Sequence, residues 1–167
     1  EKEIPVQQRP EIDRWILSEL NSLIKLVDAS YNDFEPTKVG RAIQEFVDAH
    51  LSNWYVRLCR RRFWKGEYAE DKIAAYQTLY TCLETLSVLI SPIAPFFADQ
   101  LFMDLNKVTQ KHTVESVHLS MFPTYNASYI DIELEERMQL AQRISSMVLS
   151  LRKRQNIRVR QPLQKIM

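Results

Sequence analysis

The stretch PTKVGRAIQEFVDAHLSNWYVRLCRRRFW, Pro36 to Trp64, decides how this chain folds. It opens on a proline, which suits a first helical turn because the missing N–H would have no partner there anyway. It then runs to Trp64 with one glycine, Gly40, and no second proline. Apolar residues return at three- and four-residue steps, so the stretch reads as one continuous helix that stops near Gly66. At the usual rise per residue it is about 43 Å long, enough to cross a small bundle completely. On a helical wheel Val47, Leu51, Trp54, Tyr55 and Leu58 form the core stripe. Arg57, Arg60 and Arg61 fall on a neighbouring face, with Trp64 among them.

Four more helices can be read outward from it. The first covers about Glu11 to Tyr31, where Ile12, Trp15, Ile16, Leu20, Leu23, Ile24, Val27 and Tyr31 make one apolar stripe. DFEP, Asp33 to Pro36, separates it from the long helix. A third runs from about Asp71 to Ser91, with Ile73, Tyr76, Leu79, Tyr80, Leu83, Leu86 and Ile90 on its face and Pro92 as its stop. A fourth is shorter, from about Pro95 to Asn106. SVHLSMFP, Ser116 to Pro123, reads as a short extended piece. The fifth helix runs from about Asp131 to Gln155, with acids at its start and Arg152, Lys153 and Arg154 at its end, both complementing the helix dipole. The closing NIRVRQPLQKIM alternates Ile157 and Val159 with Arg158 and Arg160, a strand-like period. The expected architecture is an all-α bundle of about five helices with a short extended C-terminal segment.

Composition narrows the function. A chain of 167 residues with 46% hydrophobic content is one ordinary domain, or a domain with an appendage, and can bury a sizeable core. Its two glycines, Gly40 and Gly66, exclude a Gly-rich phosphate loop and argue against an all-β fold. Cys59 and Cys82 lie in helical patterns without motif spacing and read as buried thiols of a reducing compartment. His50, His112 and His118 are dispersed, so no metal site is expected. No nucleophile, base and acid stand at a recognisable spacing. The opening EKEIPVQQRPEIDRW is too polar for a signal peptide. The most apolar run, LSVLISPIAPFFA, is short and broken by Pro92 and Pro95, so no membrane-spanning helix is expected.

The formal net charge of +1 conceals a segregation. No acid follows Glu136, whereas eight bases do: Arg137, Arg143, Arg152, Lys153, Arg154, Arg158, Arg160 and Lys165. The long helix is one-sided too. Arg57, Arg60, Arg61, Arg62 and Lys65 lie between Asp48 and Glu67 with no acid among them. Like charges three and four residues apart repel, so stability alone does not call for this cluster. One reading makes Trp54, Tyr55 and Phe63 core and leaves the arginines solvated, or paired with acids such as Glu45 or Asp48. The other makes them a contact surface: for nucleic acid, with arginine forks on phosphates and an exposed aromatic stacked on an unpaired base, or else for a protein or a membrane.

Five segments occur in order: DRWILSELNSLI (Asp13 to Ile24), NWYVRLCRRRFW (Asn53 to Trp64), LISPIAPFFADQLFMDL (Leu89 to Leu105), SVHLSMFP and NIRVRQPL (Asn156 to Leu163). Together they resemble the anticodon-binding helical domain of isoleucyl-tRNA synthetase, a class I enzyme. The resemblance covers nearly all of the chain. NWYVRLCRRRFW is its most specific part. Valyl-, leucyl- and methionyl-type enzymes share the helical domain, and SPIAPFFA is common to more of them. Met121 departs from the acid expected there.

The resemblance implies a fragment, residues 1–167, of an isoleucine–tRNA ligase, with residues 152–167 leading toward a C-terminal region that is not present. The parent's HIGH-type and KMSKS-type motifs are not in this sequence. The domain would recognise the anticodon arm of isoleucine tRNA and position it for ATP-dependent aminoacylation by the catalytic domain of the same polypeptide, itself doing no catalysis. No cofactor is expected in the fragment; ATP with magnesium is expected for the parent, in the cytoplasm, without a membrane or DNA partner. The resemblance points to Arg57, Arg60, Arg61 and Trp64 as tRNA contacts. Lys153, Arg154, Arg158 and Arg160 form a second basic patch, on the C-terminal segment that the resemblance also turns toward the tRNA. Asn53 either satisfies the helix backbone or reaches RNA, and Arg152 reads as a helix cap. The alternatives are the same domain of a valyl- or leucyl-tRNA synthetase, or a helical protein-interaction module.

Overall fold

A computed structural model describes residues 3–64 and 67–162. It bears out the all-α expectation, with no strand among the described residues. Helix α1 is Glu11–Asn32, α3 is Glu70–Ile90, α4 is Pro95–Thr109 and α5 is Ile132–Arg154. Helix α2 occupies residues 36–64 without a break and starts, as expected, with Pro36 in its first turn. Its middle is not α-helical: Pro36–Glu45 is α, Phe46–Val56 is π, and Arg57–Trp64 is α again. The expected stop at Gly66 lies outside the described residues.

The chain divides into two compact units, Glu1–Asp131 and Ile132–Met167. In the first, α1 is central and packs on α2 and α3, and α3 packs on α4. The stripe expected on α1 is buried through Trp15, Ile16, Leu20, Leu23, Ile24 and Val27. Its other side is covered as well. The segment before Asp131 lies along it, with the Asn126 N–H donating to Asn21 Oδ1 at 2.8 Å and the Asp131 N–H donating to Ser18 Oγ at 2.8 Å. The N-terminal segment is held by buried Arg9, whose guanidinium donates to Ile4 O at 2.9 Å and Thr78 Oγ1 at 2.9 Å.

The face of α3 is rotated from the expected one. Its deepest residues are Ala74, Ala75, Thr78, Cys82, Ser87 and Leu89; of the expected face Leu86 is buried and Tyr76 is exposed. Small side chains make up most of this buried face. The tyrosines stand at the rim, where a phenol finds a polar partner; Tyr80 donates to Glu84 Oε1 at 2.8 Å. By length and composition α3 is apolar enough to cross a membrane; in this unit it is the core helix between α1, α2 and α4.

Helix α4 buries Ala98 and Phe102 against Val117. Residues Val117–Leu119 form a 3-10 turn, not the expected extended piece. Polar side chains set this turn: Asp99 Oδ1 accepts from Ser116 Oγ at 2.7 Å and from the Val117 N–H at 2.9 Å, and Ser116 Oγ accepts from the His118 N–H. These bonds to the charged form, the Ser116 hydroxyl first, hold the Asp99 carboxyl below its ordinary value. A depressed folded pKa contributes stability that is present above the ordinary carboxylate value and is lost as pH falls through the folded one. Ser116→Ala is therefore expected to raise the Asp99 pKa toward the ordinary value, as read by NMR titration of its side chain.

Phe34 joins α1 to α2 with φ 58°, in the left-handed region that glycine usually occupies, and its side chain is 90% exposed. Neither strain nor exposure is offset by a core contact. Phe34→Gly is expected to stabilise the chain by about 1 kcal/mol, the strain relieved outweighing the entropy added to the unfolded state. That corresponds to a rise of about 2–4 °C in melting temperature for a chain of this size.

In the second unit α5 ends at Arg154, and the following residues turn back instead of extending. Asn156 takes a left-handed φ of 53°. Arg152 Nη1 donates to the carbonyls of Arg158 at 2.7 Å, Gln161 at 2.9 Å and Val159 at 3.2 Å. A lone strand at 157–160 would leave its backbone groups without partners; the guanidinium supplies a donor to two of its carbonyls and to that of Gln161. Arg152 therefore caps the turn as well as ending the helix. The remainder of the closing segment, including Lys165, lies outside the described residues.

Candidate nucleic-acid interface

The π stretch decides what the end of α2 shows to solvent. A π-helix closes i→i+5 bonds, so its turns take in more residues than α turns. The buried positions change step accordingly: Val39, Ile43 and Phe46, then Leu51, Tyr55 and Cys59. Ordinary helical period places Leu58 in the core; the wider turns bring Cys59 there instead and leave Leu58 56% exposed. Trp54, also expected in the core stripe, is half-buried.

Arg57, Arg60 and Arg61 are exposed, and Trp64 is 78% exposed. These four and Leu58 line one shallow depression. The face read from the sequence is thus brought together, with Leu58 added as an apolar wall. Neither Glu45 nor Asp48 pairs with it. Among the described residues, Arg57, Arg60 and Arg61 have no hydrogen-bond or ion-pair partner. Phe63 is a packing residue, as one of the two readings had it: its ring lies edge-on against Tyr55 and Tyr76 at centroid distances of 6.4 Å and 5.3 Å.

Arg62, in the same run, turns the other way. Its side chain is 16% exposed and reaches Asp13, which is fully buried. Nη1 donates to Asp13 Oδ1 at 2.6 Å and Nη2 to Asp13 Oδ2 at 2.8 Å, a two-pronged pair. Nε donates to Asp71 Oδ2 at 3.0 Å, Nη2 to the Asp71 carbonyl at 2.9 Å, and Nη1 to Cys59 Sγ at 3.4 Å. Tyr55 completes the cluster, its hydroxyl donating to Asp13 Oδ1 at 2.9 Å. Burial opposes the guanidinium charge, but the hydrogen bonds and charge of Asp13 outweigh it and raise the Arg62 pKa. Burial, then the Asp13 charge, pushes the Tyr55 phenol far above its usual value. Burial also raises both thiols, Cys59 and Cys82.

The remaining candidates are placed as follows. Asn53 Nδ2 donates to the Asp48 carbonyl at 2.7 Å, so it serves the backbone of the π stretch. His50 stands edge-on to Trp15 with Glu19 beside it, and His112 Nε2 is 2.6 Å from Glu84 Oε1. Among the described residues no three metal-ligating side chains gather. In the second unit Lys153, Arg154, Arg158 and Arg160 are all exposed around the turn that Arg152 holds.

A family model described as the anticodon-binding domain of tRNA ligase matches residues 13–167. Along all of its length the chain is 66% identical to an isoleucine–tRNA ligase of Cytophaga hutchinsonii, covering 15% of that protein. It is 60% identical, again over its full length, to one of Bacteroides thetaiotaomicron, covering 14% of it. An isoleucine–tRNA ligase of Dehalococcoides mccartyi is 48% identical over 94% of the chain, which covers 15% of that relative. The chain therefore spans only a small part of the curated relatives it matches.

Proposed function

The chain belongs to the family of anticodon-binding domains of tRNA ligases, and from that premise we propose that it grips the anticodon arm of isoleucine tRNA through Arg57, Arg60, Arg61 and Trp64. The observation that carries this reading is the end of α2: three arginines without partners among the described residues and an exposed tryptophan around one depression. Arginine forks neutralise phosphates and set the register of the RNA, while an indole face stacks on an unpaired base. Lys153, Arg154, Arg158 and Arg160 supply further phosphate contacts from the second unit.

In the parent enzyme the role of the domain is positioning. Binding energy spent on the anticodon arm holds the acceptor end at a distant catalytic domain of the same polypeptide, where ATP and magnesium act. The setting is the cytoplasm. This chain is the RNA-holding part and supplies no catalytic group. In an ATP–pyrophosphate exchange assay it is expected to stay at the blank; measurable exchange would overturn that assignment.

Binding is tested by fluorescence anisotropy of labelled isoleucine tRNA, its anticodon-substituted form and valine tRNA, titrated with the chain at several salt concentrations. The expected result is binding that weakens steeply with salt and favours the isoleucine tRNA. Equal affinity for all three would confine the domain to backbone contacts, and salt-insensitive or absent binding would remove the RNA reading.

A further inference from the structure

We propose that Arg62 is a positioning residue for the RNA-binding face: it touches no RNA, and it fixes the rotation at which α2 presents Arg57, Arg60, Arg61 and Trp64. This rests on the reading of that face given above. The four arginines of the run are chemically identical, and the fold separates them into three that face solvent and one that faces the core.

A guanidinium has five N–H donors. Those of Arg62 are taken up by the Asp13 carboxylate, the Asp71 carboxylate and carbonyl, and Cys59 Sγ. None is left for a phosphate. The bonds go to two different helices, Asp13 on α1 and Asp71 on α3, so one side chain ties α2 to both. The next residue adds a second tie: Tyr76 OH on α3 donates to the Phe63 carbonyl at 3.2 Å, satisfying one of the orphan acceptors at the helix end.

Rotation needs such fixing in this helix. Upstream of Arg57 lies the π stretch, so ordinary helical period does not set the azimuth of the last two turns. The π turns give a new rotation, and tertiary anchors hold it; Tyr55, Cys59 and Arg62 are the inward ones. A turn of about 20° moves a side-chain tip about 6 Å from the axis by roughly 2 Å. That displacement breaks a hydrogen bond of about 2.9 Å. Stability alone is a weak reason for a buried ion pair, because apolar residues of similar volume usually serve as well. A planar fork held by two carboxylates gives an orientation that apolar packing does not.

The test compares the 167-residue chain with Arg62→Lys, Asp71→Asn and Arg61→Ala. Lysine keeps the charge facing Asp13 but has no planar fork. Asp71 is largely exposed, so its replacement removes one anchor without opening the core. Two readouts are taken: salt-dependent anisotropy with isoleucine tRNA, and amide hydrogen exchange of residues 57–64 without RNA. For Arg62→Lys and Asp71→Asn the expected result is faster exchange in those turns, affinity lower by about tenfold, and a salt slope equal to that of the unchanged chain. Arg61→Ala is expected to lower the slope by about one unit with exchange unchanged. A lowered slope in Arg62→Lys would mean that Arg62 itself meets phosphate and would overturn the proposal. Faster exchange with unchanged affinity would also overturn it, leaving a purely structural joint. Absence of salt-sensitive binding in the unchanged chain would overturn the RNA reading and this proposal with it, while the exchange data would still report whether Arg62 holds the helix end.

Discussion

Arg62→Ala is expected to cost the chain about 3 kcal/mol of folding stability. The change leaves the Asp13 carboxylate fully buried with Tyr55 as its remaining hydrogen-bond donor among the described residues. Removing one partner of a buried pair typically costs about 3–5 kcal/mol, because the other charge keeps its desolvation penalty and loses its compensation. The lower end applies, since Asp71 is 57% exposed and that half of the joint is already solvated. For a chain of this size the loss amounts to a fall of roughly 6–12 °C in melting temperature. Urea denaturation and calorimetry of the variant measure it. The double variant Asp13→Ala with Arg62→Ala is expected to be more stable than Arg62→Ala alone, because the stranded carboxylate is gone. A loss below about 1 kcal/mol in the single variant would mean that the joint is open to water.

The triple variant Arg57→Ala, Arg60→Ala, Arg61→Ala is expected to lose about a hundredfold in affinity for isoleucine tRNA at moderate salt. Each charge-assisted hydrogen bond contributes about 1.5–3 kcal/mol before the cost of ordering the side chain, so two decades is a conservative sum. The salt slope is expected to fall by about two to three units, at about 0.7–0.9 for each phosphate that is no longer neutralised. Stability should stay within about 0.5 kcal/mol of the parent chain, because these side chains are exposed and repel one another. Trp64→Ala is expected to weaken binding by about tenfold with the slope intact, stacking being worth about 1–3 kcal/mol per base and carrying no charge. Anisotropy titrations at several salt concentrations separate the two effects. An unchanged slope in the triple variant would place the phosphate-binding groups elsewhere.

The helices were legible because each carries its own boundary chemistry. Pro36 and Pro95 each open one, and Pro92 follows the end of α3. The exposed arginines were legible as well, since a run of bases with no acid nearby cannot all be buried. The π register was not. Nothing in FVDAHLSNWYV requires an i→i+5 bond, so the ordinary period wrongly puts Leu58 on the core stripe; Cys59 is buried, as a thiol in a helical pattern is expected to be, but its place on that stripe is not legible. Arg62 was indistinguishable from its neighbours for the same reason. The signal for its role lay 49 residues away, in Asp13, a carboxylate on the same stripe of α1 as Ile16 and Leu20. A charge on an apolar face requires a buried partner, and an inward arginine is the usual one. The alternation in NIRVR failed as a strand signal because its backbone carbonyls are taken up by Arg152 in a turn, and Val159 is exposed like its arginine neighbours.

The joint between Arg62, Asp13 and Asp71 also bears on the order in which the chain assembles. Its three members come from three helices, so the guanidinium cannot satisfy both carboxylates until all three have docked. Until then Asp13 and Arg62 are better off hydrated, and burying either one early is unfavourable. Interactions of this kind are expected to form on the native side of the folding barrier, which a comparison of the folding and unfolding rates of Arg62→Lys with those of the unchanged chain checks. Weakening them leaves the rate of folding nearly untouched and quickens unfolding. The end of α2 is therefore expected to govern the lifetime of the folded chain more than its speed of formation.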